Sequence, residues 1–219
     1  MKVILFGATG MVGQGVLREC LLDPEVTQVL SVGRTATGQS HPKLREVMHN
    51  DFLDFTPIEK ELSDYDACFF CLGITSLGMD EQRYTVITRD FTLAAARVLS
   101  KLNPQMTFVY VTGRSTDSTE KGPQMWARVK GRTENDLLKL PFKAAFMFRP
   151  GLIQPLHGVR SKTAWVDTIY TLISPLMSLT AHLAPNSVTT TEQVGRAMIG
   201  VASRGYPKPI LEVEDINRV

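Results

Sequence analysis

Three glycines near the start of the chain constrain its fold more than any other feature. Gly7, Gly10 and Gly13 are spaced G-x-x-G-x-x-G and follow directly on Val3-Ile4-Leu5-Phe6, a run that is apolar at every position. Such a run reads as a strand covered on both faces, the condition of a central strand in a parallel sheet. Over residues 11–22 the pattern turns helical, and Asp23-Pro24 stops it. The glycines therefore occupy a strand-to-helix turn. Gly7 allows the sharp exit from the strand, Gly10 removes a side chain where phosphates would approach the backbone, and Gly13 lets the helix pack tightly on the strand. Free N–H groups and the dipole at a helix start attract anions. The segment Gly7-Ala8-Thr9-Gly10-Met11-Val12-Gly13 is thus a candidate cradle for a pyrophosphate, and so for a dinucleotide. The alternative is a glycine-rich turn that holds nothing; the strand–turn–helix setting favours the cradle.

Short β-rich runs alternate with longer helical ones through the rest of the chain. Residues 28–32, 45–48, 66–70, 107–111 and 144–148 read as strands, and 209–213 as a last one. Tyr84, Ile87, Phe91, Ala94, Val98 and Leu102 recur at helical spacing until Asn103-Pro104. Residues 124–140 and 191–202 read as further helices, and 35–43 and 151–163 as loops. An apolar helical stretch over 165–183 is interrupted by Pro175, which should kink or break it. The alternation predicts an α/β fold with a doubly wound parallel sheet, the Rossmann arrangement. It places a core at 1–150 and a smaller helical region, facing substrate or partner, at 151–219, within one domain spanning 1–219.

The second strand decides which dinucleotide is expected. A site for NAD usually carries Asp or Glu at that strand's end, whereas a site for NADP carries a cation for the extra phosphate. Here the strand ends in Ser31-Val32-Gly33-Arg34, with Arg34 placed 21 residues after Gly13 and no carboxylate beside it. A guanidinium pairs with phosphate through a two-pronged contact. NADP(H) is therefore the expected cofactor, ahead of NAD(H); the plainer reading is a solvated surface arginine. Asp51 and Phe52, after the third strand, are expected to border the adenine, although aspartates in loops are often turn formers.

With these residues in view the chain resembles an atypical member of the short-chain dehydrogenase/reductase superfamily. The resemblance runs from Val3 to about Gly151. Its residues are the glycine turn, Gly33-Arg34, Cys71-Leu72-Gly73, Val129-Lys130-Gly131-x-x-Glu134 and Phe148-Arg149-Pro150-Gly151. It is similar to a small oxidoreductase-like subgroup related to a human tumour-suppressor protein and described as nucleoside-diphosphate-sugar epimerase-like. The resemblance implies a cofactor contact at Cys71-Leu72-Gly73 and at Pro150. It implies a Tyr-x-x-x-Lys pair on the helix after the fifth strand, in which the tyrosine exchanges a proton with substrate and the lysine holds the nicotinamide ribose. It also implies a Ser or Thr at the end of that strand to orient the substrate. Lys130 fits the lysine, and Thr112 or Ser115 fits the hydroxyl. The tyrosine position holds Trp126. An indole N–H donates a hydrogen bond but does not ionise usefully near neutral pH, so Trp126 does not replace the tyrosine chemically. Tyr84, Ser115, Asp117 and His157 are candidate substitutes. Trp126 also reads as a packing residue that covers the nicotinamide pocket.

The remaining features narrow the function by exclusion. A formal charge of +2, from 24 basic and 22 acidic side chains, gives no special attraction to nucleic acid or anionic membranes. Three cysteines do not make a disulfide framework. Cys68-x-x-Cys71 falls in and at the end of a strand, so both read as small buried residues rather than a redox or metal pair, and the four histidines show no ligand spacing; no metal is expected. The apolar start is too short for a signal peptide, and a cytoplasmic location is expected. No run is long enough for a membrane span. Residues 165–183 read first as a helix on the substrate side of the cleft, then as a surface for a homo-oligomer or partner, then as a membrane-surface helix. Two functions follow: an NADP(H)-dependent oxidoreductase or epimerase-like enzyme on a small carbonyl or hydroxyl compound, or a catalytically lapsed protein that holds NADP(H) for regulation or interaction.

Overall fold

A computed structural model of the chain describes residues 1–159 and 187–219. The expected helix over 165–183, its break at Pro175 and its proposed surfaces lie outside the described residues. Seven strands form one parallel sheet: β1 (Lys2–Phe6), β2 (Gln28–Gly33), β3 (Leu44–Met48), β4 (Ala67–Phe70), β5 (Thr107–Val111), β6 (Ala144–Arg149) and β9 (Ile210–Glu212). Their order across the sheet is β3-β2-β1-β4-β5-β6-β9. The chain winds outward from β1 in one direction, returns, and winds outward in the other. A crevice opens at that reversal, between β1 and β4, beyond the carboxyl ends of the strands.

Alternation along each strand divides the core. Val3, Leu5, Val29, Phe69, Val109 and Phe148 face one side, where helices α1 (Met11–Leu22) and α5 (Thr191–Arg204) cover them with Val16, Leu17, Val194 and Met198. Ile4, Phe6, Leu30, Cys68, Phe70 and Phe108 face the other, beneath Leu93, Ala96 and Leu99 of α3 (Phe91–Leu102). Val3 to Phe6 are fully buried, as a strand sandwiched between helix layers must be. Two more helices complete the layers, α2 (Glu81–Thr85) and α4 (Met125–Leu137), with a short terminal α6 (Val213–Ile216).

Three local features depart from the sequence expectation. The helix expected through Tyr84 and Leu102 contains a π segment at Val86–Asp90, where the Phe91 N–H reaches back to the Val86 carbonyl. The Thr88 carbonyl there also accepts from the Thr92 hydroxyl at 2.7 Å and the Tyr110 hydroxyl at 3.3 Å. Residues 151–163, expected as loop, contain β7 (Leu152–Gln154), which pairs in parallel with β8 (Val188–Thr190). Three residues are too few to show a period of two, and the pairing partner lies far along the chain. A 3₁₀ turn at Thr56–Leu62 was also without a sequence signal beyond Pro57.

Candidate functional site

The glycine turn sits at the crevice. Gly7 has φ +79°, and a Cβ there would lie 2.7 Å from the backbone of Cys71 and Leu72, so only glycine lets β1 exit beside the end of β4. The Gly10 N–H donates to the Gly7 carbonyl at 2.9 Å. Gly10 is the extended N-cap of α1, with no side chain capping the helix and no acidic residue in its first turn. Among the described residues, the leading N–H groups of α1 and its positive dipole end thus meet no capping carboxylate. Gly13 is buried beneath the turn, where a Cβ would meet the Gly7 carbonyl at 2.0 Å.

A cleft of about 410 Å³ opens over this turn. Gly7, Ala8, Thr9, Gly10 and Met11 form one wall, Arg34 and Phe52 another, and Cys71, Leu72 and Gly73 a third. Arg34 is exposed at the end of β2 and makes no hydrogen bond or ion pair among the described residues. Phe52 is 4% exposed and packs edge-on against Phe6 and Phe55, and at 5.8 Å against Phe91. Asp51 does not line the cleft: its carboxylate accepts from the Leu53 N–H at 2.9 Å, forming the turn that presents Phe52. Ser31, Val32, Gly33 and Thr35, not expected as cofactor contacts in their own right, also line the cleft beside Arg34.

The second group of expected residues lies further along the same edge, at the end of β5. Thr112 is buried, and its hydroxyl lies 2.6 Å from Glu134 Oε1, turned into the protein rather than outward. Its carbonyl accepts from Lys130 Nζ at 2.6 Å. Burial lowers the Lys130 pKa to about 8, and Glu134, one helical turn away on α4, opposes that shift. Glu134 is fully buried and receives Arg149 Nε at 3.1 Å and 3.2 Å. Gly131 has its own task. A Cβ there would lie 1.8 Å from the Asp117 carbonyl, so the loop after β5 lies directly on α4. Pro150 is buried at the end of β6, and its carbonyl accepts from the Arg114 N–H at 2.9 Å. Val12, in the first turn of α1, stays outside the cleft wall and packs on the core.

The candidate proton donors separate clearly. Tyr84 is 1% exposed and belongs to the core. Asp117 is held by the Thr119 hydroxyl at 2.6 Å and the Gly122 N–H at 2.6 Å, contacts that keep its carboxyl below the usual range. His157 is exposed and lies 2.6 Å from Glu192. Ser115 is exposed at the end of β5, with φ +68° and no partner for its hydroxyl among the described residues. A left-handed backbone is uncommon for serine. Trp126 is half-buried one helical turn before Lys130, on the same side of α4. Cys68 is fully buried and Cys71 partly so; burial pushes both thiols up, which leaves them neutral at physiological pH.

The seven-stranded parallel order, the glycine turn and the cleft at the reversal define a Rossmann fold, the fold that solved short-chain dehydrogenases and nucleotide-sugar enzymes share. A short-chain dehydrogenase family protein from Francisella tularensis superposes with a TM-score of 0.68 at 12% identity, covering 93% of this chain and 91% of that one. DesIV, the dTDP-glucose 4,6-dehydratase of Streptomyces venezuelae solved with NAD and TYD bound, gives 0.69 at 16% identity, covering 97% and 75%. Among curated proteins, the mitochondrial protein FMP52 of Meyerozyma guilliermondii is 24% identical over 206 residues, which is 92% of this chain and 85% of that protein. Protein HTATIP2 of Rattus norvegicus is 25% identical over 155 residues, 69% of this chain and 62% of that protein. No family model matches the chain. The expected resemblance to short-chain dehydrogenases therefore holds. The expected cytoplasmic location does not, because the FMP52 relatives are named mitochondrial. Among the described residues no helix is long and apolar enough to cross a membrane.

Proposed function

We propose that this chain binds NADP(H) along the carboxyl edge of its sheet and acts as an oxidoreductase or epimerase-like enzyme on a small carbonyl or hydroxyl compound. One observation carries the reading: the start of α1, without a side-chain cap, and the guanidinium of Arg34, unpaired among the described residues, line the same cleft. The first offers N–H groups to a diphosphate, and the second offers a two-pronged contact to the 2′-phosphate of the ribose. Phe52 supplies an apolar wall for the adenine. Cys71, Leu72 and Gly73 lead from the turn toward β5, where Lys130 holds the nicotinamide ribose and Ser115 orients the substrate oxygen. Thr112 takes no direct part, since its hydroxyl faces Glu134. When bound, the cofactor supplies hydride transfer.

Trp126 favours a second reading, in which the cofactor is held without turnover, for regulation or for interaction with another molecule. The two are separated by mixing the protein with NADPH and a panel of aldehydes, ketones and quinones. Oxidation of NADPH above background supports the enzyme. Tight binding without turnover, with activity appearing in Trp126→Tyr, supports the lapsed enzyme. Loss of existing turnover in Trp126→Tyr contradicts the view that the indole stands idle where a proton donor belongs.

A further inference from the structure

The network behind Lys130 is more extensive than the lysine's own role requires. Thr112, which follows β5, makes four contacts. Its N–H donates to the Phe148 carbonyl at 2.8 Å, its hydroxyl lies 2.6 Å from Glu134 and, more distantly, 3.1 Å from the Phe148 carbonyl, and its own carbonyl receives Lys130 Nζ. Glu134 is in turn fixed by Arg149, whose guanidinium also contacts the Ser118 hydroxyl at 2.5 Å and Glu212 at 3.3 Å. The carboxylate therefore ties together α4, the end of β5, the end of β6 and the loop over Gly131. An apolar residue of similar size would fill that space without the desolvation cost of a buried charge. What an apolar residue would not do is fix the Thr112 hydroxyl or place a negative charge one turn from Lys130.

We propose that Glu134 is a positioning residue for Lys130, acting through Thr112. The carboxylate locks the threonine hydroxyl, which fixes the orientation of the carbonyl that receives the lysine. Its functional meaning rests on the reading that Lys130 meets the cofactor. Glu134 is also the one charged group that acts on the ammonium among the described residues. Arg149 lies behind it, and the Asp117 carboxylate, on the loop over Gly131, is turned to Thr119 and Gly122.

The test reads Lys130 directly. Its acylation by a water-soluble amine reagent is followed by peptide mass spectrometry across pH, in the unaltered protein, in Glu134→Gln and in Thr112→Val. Removing the carboxylate charge is expected to move the reactivity midpoint of Lys130 down by about one pH unit and to weaken NADPH binding several-fold. Thr112→Val leaves the Glu134–Arg149 pair intact; it is expected to free the lysine and raise its acylation rate several-fold at a fixed pH. A purely structural carboxylate would lower the melting temperature of Glu134→Gln and leave both the midpoint and the rate unmoved, which overturns the proposal. If Glu134→Gln does not fold, Thr112→Val decides alone: an acylation profile identical to that of the unaltered protein overturns it. Failure of the unaltered protein to bind NADPH, with the Lys130 midpoint still moving in Glu134→Gln, refutes the cofactor reading and leaves the Glu134–Lys130 coupling standing.

Discussion

Gly13 is held so closely over Gly7 that a Cβ on the first would lie 2.0 Å from the carbonyl oxygen of the second. The same carbonyl accepts the Gly10 N–H at 2.9 Å, so α1 starts where the Gly7 backbone holds it. A methyl group at position 13 has backbone, not a movable side chain, in its way. Gly13→Ala is expected to cost about 3 kcal/mol or more in unfolding free energy, and to abolish nucleotide binding in whatever fraction folds. Urea denaturation and a nucleotide titration of the same preparation check both effects.

Arg34 reaches the cleft with no carboxylate among the described residues to neutralise it. Arg34→Ala removes a charge-assisted contact to a phosphate that NADH lacks. NADPH affinity is expected to fall about 10- to 100-fold, with NADH affinity almost unchanged. Equal losses for the two nucleotides, or none, would remove Arg34 from the site.

Lys130 titrates at about 8 against an ordinary 10.5, chiefly because burial disfavours the ammonium. The unfolded chain then binds more protons than the folded one between those two values, so this group makes stability rise with pH across that window. Below pH 8 the buried ammonium costs up to about 3 kcal/mol, less whatever solvent contact screens. Lys130→Met is accordingly expected to be more stable than the unaltered protein at pH 7 and to lose that advantage by pH 10. Its nucleotide binding should be weaker at pH 7, and the unaltered protein should approach it as pH rises past 8. Urea midpoints at the two pH values provide the measurement; a constant difference between the proteins contradicts the linkage.

Arg149 is 11% exposed at its side chain and pairs with a carboxylate that is fully buried. Arg149→Met strands that carboxylate and is expected to cost about 3–5 kcal/mol. Replacing both partners, in Arg149→Met with Glu134→Leu, should recover a large part of the loss. A double variant whose destabilisation equals the sum of the singles would show that the two side chains do not act as a pair.

The parts of this architecture visible in the sequence are those set by local rules. Residues 3–6 announce a central strand because every position is apolar, and the helix over 11–22 ends at Asp23-Pro24 as read. Arg34 was placed by counting along one strand–helix–strand unit. What escaped depends on partners distant in sequence. Thr112 looked like a free hydroxyl at a strand end, yet its partner Glu134 stands 22 residues on, and that carboxylate is itself fixed from β6. Asp51 looked like a cleft residue, but its carboxylate is spent on the Leu53 N–H two residues away. The β7–β8 pair joins three-residue segments whose register no local period announces. The π segment lies where Tyr110, from a strand distant in sequence, meets the Thr88 carbonyl.

The most direct test is calorimetric titration of the purified full chain with NADPH and NADH in parallel. Saturable binding of NADPH, with a dissociation constant below about 100 µM and at least tenfold tighter than for NADH, is the expected result. The absence of heat from either nucleotide at millimolar concentration would contradict the assignment of the glycine turn and Arg34 to a phosphorylated dinucleotide.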